Sequence, residues 1–212
     1  LIGYGSAEQH ADLTFFRAKD LIAESEVGEI NSDLVTPQEN LALGLDVGFK
    51  FLKKFNFKAN VGASAYTSNI SSVGDFGLSN EIPILQTLSN VFTYNLTSKL
   101  QMAGEASINY KIKNFGTGIE YKRISPGYQT LGTYYFQEDF QNITLKMNIS
   151  TPKNKVRFNG SGGIQTNNLN GLRESTRSRK IINTTLMLSP WKTFNTTIRV
   201  ANFQSDRTPS FN

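Results

Sequence analysis

The sequence predicts an all-β membrane protein, an antiparallel up-and-down transmembrane β-barrel. Three observations carry that prediction: apolar and polar residues alternate over strand-length runs, short and long connections alternate between the runs, and charge keeps to one of the two faces so formed. The 212 residues are 38% hydrophobic with a mean hydropathy of −0.33, which reads as soluble on average. A barrel averages out in this way because its strands alternate. No stretch approaches the roughly 18 consecutive apolar residues of a membrane-spanning helix, so a helical membrane protein is excluded. Fifteen Phe, eight Tyr and only 18% charged residues exclude a disordered chain. Residues 1–212 read as one barrel domain or part of one, with no separate soluble domain.

The elements follow in order. A first, less regular strand lies near His10 to Ala18. From Leu41 the odd positions Leu41, Leu43, Leu45, Val47, Phe49 and Phe51 alternate with Ala42, Gly44, Asp46, Gly48 and Lys50. Eleven residues match a tilted membrane-crossing strand of roughly 9–11 residues. A tight turn at Lys53-Lys54 leads into Phe55, Phe57, Ala59 and Val61, set against Asn56, Lys58 and Asn60. A second hairpin runs Leu100 to Ile112, turns at Lys113-Asn114 and returns through Phe115, Ile119 and Tyr121. A third pairs Ile143, Leu145, Met147 and Ile149 with Val156, Phe158 and Ile164 around Pro152 and Asn154. A fourth pairs Ile182, Thr184, Leu186 and Leu188 with Phe194, Ile198 and Val200, joined at Ser189-Pro190-Trp191-Lys192. The sum is about nine strands.

Connections inside hairpins are two to five residues, with Asn, Pro and Lys at the turns. Between hairpins they are long, at about 20–39, 67–90, 125–138 and 167–178. Outer-membrane barrels keep that pattern, with short periplasmic turns and longer outward loops. Bacterial single-chain barrels have an even number of strands. Nine strands therefore mean either that one strand is misjudged or that the chain is a segment of a larger barrel, and the segment is the favoured reading.

Phe49, Phe51, Phe55, Phe57, Tyr110, Phe115, Phe158, Trp191 and Phe194 all lie near the short turns. Folded as hairpins they form one aromatic girdle, the level where amphipathic rings suit a membrane interface. Tyr66, Phe92, Tyr94, Tyr121, Phe140 and Phe203 predict a looser second ring at the other end. Asp46, Lys58, Glu105, Glu120, Lys146, Arg157 and Arg199 alternate with the apolar positions. A cation at mid-membrane on the lipid side costs roughly 2–4 kcal/mol, so these seven are expected to face a polar lumen.

Residues 1–49 carry nine acids against Arg17 and Lys19, while the remainder carries eight acids against twenty bases. A basic remainder suits nucleic acid, anionic lipid or lipopolysaccharide. The strand pattern selects outer-membrane lipid and lipopolysaccharide as partners, and no nucleic acid. Cysteine is absent, which removes disulfides, thiolate metal sites and a cysteine nucleophile. His10 is the only histidine and has no recognisable partner, so a barrel hydrolase lacks its general base. No catalytic residue, cofactor or metal set is expected. The acidic stretch Asp20 to Glu39 matches no calcium-loop spacing and reads as a solvated outward loop. Six Asn-x-Ser/Thr triplets, at Asn69, Asn95, Asn142, Asn148, Asn183 and Asn195, fall mostly in strands and read as lumen polarity. Tyr128, Tyr134 and Tyr135 in the loop Ser125–Phe140 are candidates for stacking sugars or peptides.

The runs GIEYKRISPGYQTLGTYYFQEDFQNITL (118–145), GYGSAEQHADLTFFRAKD (3–20) and RVANFQSD (199–206) resemble large outer-membrane barrels of Bacteroidota. The resemblance implies a location in the bacterial cell outer membrane and an association with partner proteins of a secretion or surface-uptake complex. The plug domain and coupling box of TonB-dependent transporters are not present in the sequence. The expected function is a passage of porin, transporter or translocon kind, or a membrane scaffold for partner proteins. The alternative is a secreted, soluble β-sandwich that binds glycans through Tyr128, Tyr134 and Tyr135.

Overall fold

The structure, a computed structural model, describes residues 1–6, 8–21, 36–72, 74, 91–132 and 137–210. The described residues form ten strands: β1 Ile2–Ser6, β2 Gln9–Lys19, β3 Glu39–Phe51, β4 Phe55–Thr67, β5 Ser98–Ile112, β6 Phe115–Ile124, β7 Phe140–Ser150, β8 Val156–Asn167, β9 Ser175–Trp191 and β10 Phe194–Pro209. Each is antiparallel to its sequence neighbour, and the sheet order is β1 through β10 without a crossover. One turn of 3-10 helix, Pro152–Asn154, joins β7 to β8.

The expectation of nine strands is corrected to ten, and the parity argument drawn from nine falls with it. The added strand is β1, whose five residues, IGYGS, are too short for alternation to stand out. The sheet is also open rather than closed: β1 pairs only with β2, and β10 only with β9. Closure onto β1 is geometrically poor, because five residues can match only part of the edge of the 16-residue β10. All described strands belong to this single sheet, so the two packed layers of a sandwich are not what they form.

Register fixes the two faces, because side chains alternate along each strand and directly paired residues share a side. One row across β3 to β10 reads Phe49, Phe57, Ile108, Ile119, Leu145, Gly162, Ile182 and Asn202. Among the described residues nothing covers the middle of this apolar face: Leu45 is 45% exposed, Leu145 58% and Val200 57%, whereas at its long-loop end Glu39, Leu41 and Thr67 are buried, with Glu39 and Thr67 bonded to Thr93. The buried apolar residues Leu41, Tyr66, Phe92, Ile124 and Phe140 lie instead at or near the long-loop end of the sheet.

Short connections are 7–8, 52–54, 113–114, 151–155 and 192–193, and long ones are 20–38, 68–97, 125–139 and 168–174. The alternation therefore holds. The fourth long loop is shorter than expected because β9 starts at Ser175, several residues ahead of its apolar stretch. Ser189, Pro190 and Trp191, read as turn, belong to β9. Ser189 and Pro190 oppose Asn195 alone between the pairs Leu188–Thr196 and Trp191–Phe194. That two-against-one bulge tolerates a proline and turns Trp191 onto the same face as Phe194.

Candidate functional site

The site is the polar face. Its central row crosses nine strands: Asp12, Asp46, Asn60, Glu105, Lys122, Asn142, Gln165, Arg179 and Ser205. Lys58, Glu120, Lys146, Arg157 and Arg199 lie on the same face by register, together with Asp46 and Glu105. All seven charged residues expected on one side are therefore brought together there. On the opposite face charge is confined to Arg17, Lys19, Glu39, Arg123, Lys180 and Asp206, toward the long-loop end.

Three acids of the polar face, Asp46, Glu105 and Glu120, are engaged. Asp46 Oδ1 lies 2.8 Å from His10 Nε2, and Asn60 Nδ2 donates to its second oxygen at 2.9 Å. Lys122 pairs with Glu105 at 3.2 Å and Lys146 with Glu120 at 2.6 Å, while Lys50 pairs with Glu8. His10 thus has a partner after all, a correction to the sequence reading. Sequence spacing could not show it, since Asp46 is 36 residues away. The imidazole fits because its neighbour is Gly48, where a Cβ would stand 2.6 Å from His10 Cε1. His10, Asp46, Lys58, Asn60, Glu105 and Glu120 line an open recess of about 310 Å³. Among the described residues no three His, Cys, Asp or Glu side chains gather as a metal set.

The loop after β6 does not project away from the sheet. It crosses back over the polar face, from the end of β6 to β2, and is pinned on the way. Ser64 Oγ donates to the Gln129 carbonyl at 2.6 Å. Asn40 Oδ1 accepts from Thr130 Oγ1 at 2.9 Å and from the Leu131 amide at 3.1 Å. The Asn40 amide nitrogen donates to Ser64 Oγ and to the Ala65 carbonyl at 2.8 and 2.9 Å, so all its hydrogen-bonding capacity is used at zero exposure. At Gly62 a Cβ would meet the Tyr128 hydroxyl at 3.3 Å, and at Gly132 the ring of Phe16 at 3.8 Å. Burial pushes the Tyr128 phenol above its ordinary pKa. Tyr134 and Tyr135 lie outside the described residues, as do positions 22–35 of the acidic loop. Tyr66 and Phe140, expected in a second aromatic ring, are buried on the polar face. Phe203 is also on that face, beneath Arg179, so the second ring is corrected to a scattered set.

The aromatic residues near the short turns touch one another where they are densest. Phe49 packs on Phe57 with centroids 5.0 Å apart, Phe51 on Phe55 at 5.1 Å and Phe55 on Tyr110 at 4.9 Å. Phe115 and Phe158 share that face through Ile149, and Trp191 meets Phe194 edge-on at 5.8 Å. At the opposite end of the same face, fully buried Glu39 accepts from Arg17 Nη2 and from the Thr93 amide, both at 2.9 Å, with Lys19 Nζ 3.6 Å away. Asn40, Ser64 and Glu39 are the structural hubs that sequence reading missed, because a polar residue at a strand end looks like the start of a loop.

Comparison of the chain with protein-family models, with curated proteins and with solved structures found no match.

Proposed function

We propose that this chain forms the wall of a bacterial outer-membrane β-barrel that serves as a passage, with the loop 125–132 narrowing its polar interior. The observation that carries the reading is the apolar face, uncovered from mid-strand toward the short turns. A water-soluble sheet buries such a face, and contiguous exposed apolar surface marks a membrane or protein contact. Lipid suits this one because its mid-strand region is free of charge and is bounded at the short-turn end by aromatic rings. The polar face then borders an aqueous lumen. The resemblance of 118–145 to Bacteroidota barrels supports the same location, with lipopolysaccharide as the outer-leaflet partner. The open edges of β1 and β10 are completed by further strands in this reading, because an unpaired edge cannot stand in hydrocarbon.

The test is extraction and folding. The full-length protein should sediment with membranes, require detergent for extraction, and migrate on a gel differently before and after boiling. A protein that stays monomeric in buffer without detergent would overturn the membrane reading.

A further inference from the structure

The polar face is not uniform around the sheet. On β2 to β7 it mixes acids with lysines, and Asp46, Glu105 and Glu120 each hold a partner. On β8 to β10 it carries five arginines, Arg157, Arg177, Arg179, Arg199 and Arg207, and no acid at all. None of the five forms an ion pair among the described residues. Arg207 Nε donates to Ser175 Oγ at 2.7 Å, and the Arg179 guanidinium stands 6.0 Å from the Phe203 ring centroid.

Their placement along the strands is as informative as their number. Arg177 and Arg207 are directly paired across β9 and β10 at the long-loop end. Arg179 follows two residues inward, and Arg199 pairs with Thr185 further down. Arg157 pairs with Met187, two residues beyond Thr185. From Arg207 to Arg199 the chain runs eight residues, about 26 Å at strand rise. Like charges directly opposite destabilise a ladder. A sheet that keeps Arg177 against Arg207, with no acid on that face of three strands, gains from an anion placed between them.

We propose that β8 to β10 present an arginine track that binds small anions bearing phosphate or carboxylate groups and leads them along the lumen. Arginine suits the task because it never deprotonates in this pH range and its planar fork matches carboxylate and phosphate oxygens. Rings or rows of Arg and Lys are how pores favour anions. The proposal rests on the passage reading for the direction of travel. The binding itself does not depend on conduction.

The experiment is calorimetric titration of inorganic tripolyphosphate into the folded, detergent-purified full-length protein, or into the protein in plain buffer should detergent prove unnecessary. Removing Arg157, Arg179 and Arg199 together as R157Q/R179Q/R199Q should weaken binding by about tenfold or more. A control with the same loss of charge, K53Q/K113Q/K192Q in the short turns, should bind like the parent. Should the arginine triple variant fail to fold, the single changes Arg179→Gln and Arg199→Gln are read in the same way. No binding by the parent, or equal weakening in both triple variants, overturns the track. In planar bilayers the parent should pass chloride in preference to potassium, and R157Q/R179Q/R199Q should lose that preference. An inserted, conducting protein that prefers potassium overturns the track but leaves the barrel standing. A protein that needs no detergent overturns the barrel, while tripolyphosphate binding still decides the track.

Discussion

Asn40 and Thr130 lie ninety residues apart in the chain and meet at 2.9 Å, the buried amide oxygen of the one accepting the hydroxyl of the other. The bond ties the first residues of β3 to a loop that leaves the sheet three strands later. It helps to hold the loop against the polar face, because the same oxygen also accepts from the Leu131 amide and the same side chain donates to Ser64, which in turn donates to Gln129.

Replacing Asn40 with alanine should release the loop. A buried polar group left without its partner costs about 1–3 kcal/mol, and here the Thr130 hydroxyl and the Leu131 amide both lose theirs. Asn40→Ala should therefore become sensitive to chymotrypsin at Tyr128, which the parent protects, while the strands stay folded by circular dichroism. Cleavage of parent and variant at the same rate would show that Asn40 does not hold the loop.

The two faces predict opposite tolerance of charge. Arginine at Leu43, Leu45, Leu145 or Leu186 should impair folding into lipid bilayers, each by roughly 2–4 kcal/mol for a site near mid-membrane. Arginine at Asn148 or Asn183, whose register places them with Lys146 and Arg199, should be tolerated. Folding yields into vesicles, read by heat-dependent gel migration, measure both sets. Similar yields from the two sets would refute the assignment of faces.

Most of this architecture was legible in the sequence, and what was not has a common physical cause. Alternation finds a strand only while one face is apolar. Leu41 to Phe51 and Phe55 to Val61 stand out for that reason. The first residues of β9, Ser175 to Ser178, are polar on both faces and read as loop. The bulge at Ser189-Pro190 breaks the period and hid Trp191 as turn. The His10–Asp46 pair and the Asn40 anchor depend on strand register and loop path, neither of which a single sequence spells out. Arg157 and Arg199 were placed on the polar side by their parity. Arg177, Arg179 and Arg207 escaped because no apolar run on the same strand segment framed them.

The turn between β3 and β4 carries a conformational cost that can be relieved. Leu52 and Lys53 both adopt positive φ, at 49° and 58°, and an L side chain there costs roughly 1–2 kcal/mol per residue. Changing the pair to Asn-Gly, the residues that favour this backbone, should stabilise the protein by about 1 kcal/mol or more. Equilibrium denaturation in urea measures the gain. An unchanged or lower midpoint would mean that the turn conformation is not what limits stability here.

Alkaline pH should loosen the same loop that Asn40 anchors. Burial raises the Tyr128 phenol above its ordinary value near 10, so the packed state binds that proton more tightly than the unpacked one. The packing contribution of Tyr128 is then fully present below about pH 10 and is lost as pH rises through the raised value. A phenolate there is disfavoured because burial strips the charge of its hydration, whereas the neutral hydroxyl tolerates that packing. Chymotrypsin access to the loop, followed against pH with the strands still intact by circular dichroism, should rise in a step above pH 10. Tyr128→Phe removes the ionising group and should abolish that step while keeping the ring packed. A step that persists unchanged in Tyr128→Phe would assign the alkaline opening to another group and break the link between Tyr128 burial and the closed loop.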